Sequence, residues 1–179
     1  MSALTDRLLA LVEDVPDFPQ PGIGFKDVSP LLADPAAFAA AVEAMAGAHL
    51  EQRIDRVVGI EARGFVLAAP VAYRTGAGFV PVRKAGKLPC AVHETGYALE
   101  YGTGVLQVHV DGLAPGDRVL VVDDVLATGG SAAAAARLVR ACGADLVGIS
   151  VLLELGLLAG REALAQFCPD VPVATLLTV

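Results

Sequence analysis

Cysteine is scarce in this sequence: Cys90, Cys142 and Cys168 are widely spaced, odd in number, and have no CxxC pair or histidine-rich neighbourhood around them. That excludes a disulfide framework and a thiolate zinc site, and leaves buried or incidental thiols. Positive charge is also in deficit, with 13 Lys and Arg against 20 Asp and Glu and a formal net charge of −7. A broad basic face for nucleic acid is therefore excluded, and an anionic ligand needs a local device to hold it. A long apolar run is missing too. The longest, from Leu146 to Leu158, is interrupted by Glu154 and two glycines. It falls short of the roughly 20 residues that cross a bilayer, so it reads as a buried strand and its exit, not a membrane span. The opening MSALTDRLLALVEDV scatters Asp6, Arg7, Glu13 and Asp14 where a secretory leader needs an unbroken apolar region. A cytoplasmic protein is the expectation.

What the chain does have is hydrophobic mass. Apolar residues make up 55% of its 179 positions, which excludes disorder and suits one compact domain over residues 1–179. A first helix is predicted over Ala3 to Glu13. Pro16, Pro19, Pro21, Gly22 and Gly24 then enforce an irregular extended segment. Asp34-Pro35 starts a helix running to about His49, with Asp capping free amides and Pro at the first helical position. Strands are predicted at 56–60, 79–82, 105–110, 118–122, 146–153 and 173–177, with helices at 65–73 and 131–142. Ala132 to Ala136 reads as good helix material. Apolar strands separated by helices point to an α/β fold, a mostly parallel sheet covered on both faces. The polar excursion from Arg83 to about Val110 does not fit a plain α/β repeat, and reads as a flap or an added hairpin.

The stretch Val119-Leu-Val-Val-Asp-Asp-Val-Leu-Ala-Thr-Gly-Gly-Ser131 is the richest in chemistry. A buried strand emerges into two carboxylates, then a turn of small residues, then a helix. Ligands of open parallel sheets bind at the carboxyl ends of the strands. Ala127, Thr128, Gly129, Gly130 and Ser131 can bring backbone N–H groups close to an anion, and the helix that opens there adds a positive dipole end. Asp123 and Asp124 are adjacent and within a strand would face opposite sides, which argues against a shared proton. A bent strand end could aim both outward, to accept hydrogen bonds from vicinal hydroxyls. A ribose 5-phosphate offers that combination of diol and phosphate. No GKS or GKT follows and no GxGxxG is present, so this is neither a Walker loop nor a dinucleotide fingerprint.

The segment Val121 to Ser131 closely resembles the phosphoribosyl pyrophosphate signature of the type I phosphoribosyltransferases. Three further stretches resemble the adenine phosphoribosyltransferases in family order: Phe18-Pro-Gln-Pro-Gly-Ile-Gly-Phe-Lys-Asp-Val-Ser-Pro30, Glu61-Ala-Arg-Gly-Phe65, and Val80-Pro-Val-Arg-Lys-Ala-Gly-Lys-Leu-Pro89 with Leu99-Glu-Tyr-Gly102. The resemblance implies a type I phosphoribosyltransferase fold, a base-binding hood segment at 1–34 and a catalytic flap at 83–104. It implies that Asp123 and Asp124 hold the ribose hydroxyls and that residues 127–131 hold the 5-phosphate. Arg63 would clamp pyrophosphate, its planar fork suiting phosphate oxygens. Arg83, Lys84 and Lys87 would close over that pyrophosphate, with Lys87 placed among the catalytic residues. Phe25 and Leu155 match residues that sandwich the adenine ring, and backbone groups around Ile23 to Lys26 would read its amino edge. Many family members carry arginine where Lys26 stands. Glu100, beside Tyr101 of the substrate site, would act as an acid/base or base-orienting group.

The reaction so implied is adenine plus phosphoribosyl pyrophosphate giving AMP and pyrophosphate. Mg2+ would be held mainly through substrate oxygens, in a homodimer with no nucleic-acid or membrane partner. Xanthine or hypoxanthine as acceptor, or a ligand-sensing regulator that lost catalysis, are the rival readings. His49, His93 and His109 fall in no motif, and the first and last read as structural. Ala91-Val-His-Glu-Thr-Gly-Tyr97 departs from the serine-rich form common in the flap.

Overall fold

In the computed structural model of the chain, residues 3–98 and 103–179 are described. Glu100 and Tyr101 lie outside them. The elements run α1 (Ala3–Leu9), β1 (Glu13–Val15), β2 (Phe25–Asp27), α2 (Ser29–Ala33), α3 (Pro35–Gly47), β3 (Arg56–Ile60), α4 (Arg63–Thr75), β4 (Gly78–Lys84), β5 (Val92–Ala98), β6 (Thr103–His109), β7 (Arg118–Leu126), α5 (Gly130–Ala141), β8 (Asp145–Glu154), α6 (Gly160–Phe167) and β9 (Val173–Thr178). One turn of 3-10 helix, Gly156–Leu158, precedes α6.

Seven strands form the main sheet in the order β5-β6-β4-β3-β7-β8-β9. From β4 to β9 every pairing is parallel. β6 pairs antiparallel with β4, and β5 antiparallel with β6, so the polar excursion is a hairpin added to the sheet edge. The period of two along a strand sorts the core into two layers. Val57, Leu120 and Val122 point to one face, where they meet Ala41, Met45, Leu67 and Val71 of α3 and α4. Val58, Val119 and Val121 point to the other, onto α5. The mostly parallel α/β sheet expected from the alternation of apolar strands and helices is what the chain forms.

Asp34 begins α3 as its side chain suggests, accepting hydrogen bonds from the Ala36 and Ala37 amides at 3.0 and 2.7 Å. The first helix, in contrast, stops at Leu9 and not at Glu13. Glu13 to Val15 leave it to pair with Phe25 to Asp27, with Asp14 opposite Lys26, in a two-stranded ribbon. Tertiary pairing overrides local propensity there. The strand ending at Val82 continues to Lys84, and residues 92–94, expected in a loop, begin β5. The alanine run is more than helix material: Ala132 to Ala136 are all at most 4% exposed. Five consecutive positions circle the helix, so α5 is enclosed by the sheet on one side and by β5 and α6 on others. No helix among the described residues is long and apolar enough to cross a membrane.

His49 is 3% exposed, packs beside Gly148, and neither ring nitrogen has a hydrogen-bond partner among the described residues. Burial holds its pKa below the ordinary 6.5. The folded state therefore keeps His49 neutral while the unfolded chain takes up a proton as pH falls below that value. Stability is lost on acidification, by at most about 1.4 kcal/mol per pH unit from this group. In urea unfolding at pH 7.5 and 5.5, His49→Leu is expected to show a smaller drop between the two pH values than the parent chain.

Candidate active site

The carboxyl ends of β3, β7 and β8 lie side by side, and the residues singled out in the sequence gather there. β7 does not end before its acids; it carries Asp123 and Asp124 within it and runs on to Leu126. Both acids are buried, each residue 6% exposed, with Gly64 of α4 packed against Asp123 and Arg63 against Asp124. The Asp123 carboxylate turns back to accept the Asp124 amide at 3.0 Å. Burial, and then the charge of Asp124, push the Asp123 carboxyl well above its ordinary range.

Arg63 opens α4, directly after β3, and reaches across to Asp124 with Nε 2.7 Å from Oδ2. The contact is an ion pair without hydrogen-bond alignment, and Arg63 Nη1 is buried with no hydrogen-bond partner among the described residues. The guanidinium also lies over the Phe25 ring, 4.8 Å from its centroid. One side chain thereby joins the acid pair to the N-terminal segment. Phe25 is in turn met edge-on by Phe18 at 5.1 Å.

Beside this arginine opens a cavity of about 540 Å³, walled by Phe25, Lys26, Arg63, Val125, Ala127 and Leu155. The structure thus brings Phe25 and Leu155, far apart in sequence, to one chamber. The Lys26 ammonium is paired with the Asp14 carboxylate across the ribbon, so its charge is already countered.

The turn after β7 has a tight backing. Gly129 takes φ of +81°, and a Cβ there would sit 2.6 Å from the Gly160 carbonyl oxygen. A Cβ on Gly160 would fall 2.1 Å from the Ala127 carbonyl oxygen. Two backbones touch here, and only glycine permits it. α5 begins at Gly130, with Ser131 in its first turn, while Thr128 stands exposed on the open side. A second cavity of about 360 Å³ lies between this turn and Tyr97 of β5. Burial and then the charge of Asp123 raise the Tyr97 pKa.

The three cations at the start of the hairpin are not equivalent. Arg83 is half-buried and engaged, with Nε 3.3 Å from Glu61 Oε2 and Nη1 donating to the Lys87 carbonyl at 3.0 Å. The Lys84 amide donates to Glu61 at 2.9 Å. Burial alone would raise the Glu61 pKa, but the Lys84 amide, Arg83 and Lys87 together hold it below the usual value. Lys84 and Lys87 are the exposed cations, so the group of three free charges read from the sequence becomes two. Glu61, Tyr97 and Gly160 escaped the sequence reading. A glycine following a strand exit and opening a helix was the one signal that could have marked Gly160.

Gly64 faces the acid pair closely: a Cβ there would lie 2.6 Å from Asp123 Oδ1 and 3.2 Å from the Val122 carbonyl oxygen. Gly64→Ala is therefore expected to lower unfolding free energy by about 1–3 kcal/mol, measured by urea denaturation.

Against this geometry stand the comparisons with known proteins. The phosphoribosyl transferase domain family matches residues 27–165. An adenine phosphoribosyltransferase of Nocardioides sp. is 59% identical over 175 residues, covering 96% of this chain and 92% of that protein. The crystal structure of adenine phosphoribosyltransferase from Rhodothermus marinus superposes with a TM-score of 0.92 at 47% identity, covering 98% of each chain. That of the Giardia lamblia enzyme complexed with 9-deazaadenine gives 0.93 at 40% identity, covering 100% of this chain and 99% of the other. With the sheet order, the acid pair and the glycine-backed turn all in place, the chain belongs to the phosphoribosyltransferase family, among the adenine phosphoribosyltransferases.

Proposed function

We propose that the chain transfers the 5-phosphoribosyl group of phosphoribosyl pyrophosphate to adenine, giving AMP and pyrophosphate. One observation carries this reading. An apolar chamber with Phe25 and Leu155 on its walls adjoins Asp123, Asp124 and the 127–131 turn, and Arg63 touches both sides. The Giardia lamblia relative binds 9-deazaadenine. Flat apolar walls suit the faces of a purine, and backbone groups of Ile23 to Lys26 supply the polar edge. Among the described residues no Asp or Glu side chain lines the chamber and its one lysine is paired, which suits a 6-amino base better than a 6-oxo one.

The C1–oxygen bond to pyrophosphate breaks with its electron pair leaving on pyrophosphate, while a ring nitrogen of adenine bonds to C1 and gives up its proton. Asp123 and Asp124 hold the ribose diol. The amides of residues 127–131, with the Thr128 and Ser131 hydroxyls, hold the 5-phosphate. Arg63, half-buried at the edge of the chamber, offers its guanidinium to the leaving pyrophosphate, and Lys84 and Lys87 supply further charge as it departs. Glu100 and Tyr101, outside the described residues, are proposed at the base and the flap respectively, with Glu100 as acid/base or orienting group.

Magnesium fits the donor set as a substrate-borne ion. Among the described residues no cluster of three or more ligating side chains exists, and the adjacent acids grip the diol whose oxygens, with pyrophosphate, would hold Mg2+. When bound, it would neutralise growing charge on the leaving group. We further propose residues 1–34 as the base-binding hood and residues 83–104 as a flap that excludes water. The protein is proposed to act as a cytoplasmic homodimer.

Assayed with labelled cosubstrate, adenine is expected to be converted and hypoxanthine and xanthine are not; preference for a 6-oxopurine overturns the acceptor. Asp123→Ala and Asp124→Ala are each expected to lower kcat/KM on the order of 100-fold. Unchanged AMP synthesis in both removes the diol role.

A further inference from the structure

Arg161 is the second residue of α6, and no motif picked it out. Its guanidinium is used on every nitrogen. Nε donates to Glu154 Oε1 at 3.1 Å and Nη2 to Glu154 Oε2 at 2.5 Å. Nη1 donates to the Val173 carbonyl at 2.8 Å, and Nη2 also reaches the Thr175 hydroxyl at 2.8 Å. That hydroxyl donates in turn to Glu154 Oε2, 2.8 Å away. The fork thus ties the start of α6 to the end of β8 and the first half of β9. The pairing is mutual: the hydrogen bond between the two groups lowers the Glu154 pKa and raises that of Arg161.

The two flanking residues matter more than the pair itself. Leu155, following Glu154, is a wall of the base chamber and donates its amide to the Leu126 carbonyl at 2.9 Å. Gly160, preceding Arg161, is the backbone that touches Ala127 and Gly129. Glu154 and Arg161 therefore bracket a loop with the base wall at one end and the backing of the phosphate turn at the other. Three residues within it are glycine or take an unusual backbone: Gly156, Ala159 at φ +51°, and Gly160. Leu157 is 98% exposed, and the loop is held at its start by the Leu155 and Gly156 amides, which donate to the Leu126 and Val179 carbonyls.

We propose that Arg161 is a positioning residue. By clamping Glu154 across the 155–160 loop, it fixes the base wall and the backing of the phosphate turn as one unit. The inference rests on the transferase reading of the same site. A planar bidentate fork is needed for this, and lysine replaces it poorly.

The test compares the parent chain with Arg161→Met, Arg161→Lys and Thr175→Val. It uses steady-state kinetics for both substrates and amide hydrogen exchange at residues 127–131. Arg161→Met is expected to raise KM for adenine and for phosphoribosyl pyrophosphate together, each about tenfold, with kcat within about threefold. Exchange in the turn should quicken about tenfold. Arg161→Lys and Thr175→Val should raise both KM values about threefold. Unchanged KM values overturn the proposal, as does a rise in one KM alone, whatever happens to Tm. Should Arg161→Met fail to fold, unchanged KM values in the two milder variants overturn it equally. Should the parent chain make no AMP, the transferase reading fails, and exchange in the turn still decides the positional claim.

Discussion

The Arg63–Asp124 ion pair is the contact on which the rest of the site depends. It joins the exits of two neighbouring parallel strands, β3 and β7, and the same guanidinium supports Phe25 from the N-terminal segment. A charge buried without a partner is costly, and breaking such a pair by removing one member leaves the other uncompensated. Neither Arg63 nor Asp124 is fully satisfied within the chain: Nη1 and Oδ2 both lack an aligned hydrogen bond among the described residues. A site so built keeps unused bonding capacity close to where a polyanionic sugar would lie.

The sheet makes this juxtaposition possible. Because β3, β7 and β8 run parallel, every loop that follows them emerges on one side. Arg63 and Leu155 are brought to one chamber from separate crossovers, and the acid pair lies beside it under Arg63. The edge hairpin of β5 and β6 places Tyr97 at the second cavity, on the other side of the 127–131 turn. Glycine sets the fine spacing where Gly129 meets Gly160 and where Gly64 faces Asp123.

Much of this was legible in the amino-acid order. The apolar runs at 56–60, 118–122 and 146–153 are central strands because both of their faces are buried, and such strands need no alternation to be recognised. The Thr-Gly-Gly-Ser turn was legible because small residues between a strand and a helix have few other uses. The burial of Asp123 and Asp124 was not, since strand alternation says which way a side chain leaves the backbone and nothing about what α4 places over it. Arg83 looked like a free cation because its partner Glu61 is 22 residues away in sequence. The β1–β2 ribbon was equally hidden. The helix expected to Glu13 ends at Leu9 instead, and only Phe25 to Asp27, across a proline-rich turn, draw Glu13 to Val15 into a strand. Gly160 and Arg161 went unread because their meaning lies in a backbone contact that neither residue type announces.

The alanines of α5 carry a thermodynamic consequence. Ala132 to Ala136 have no rotatable side-chain torsion that matters, so enclosing them on all sides removes almost no rotamer freedom. The helix whose amino end meets the ligand turn is therefore ordered at the cost of its backbone freedom alone, so fewer packing contacts elsewhere need offset it.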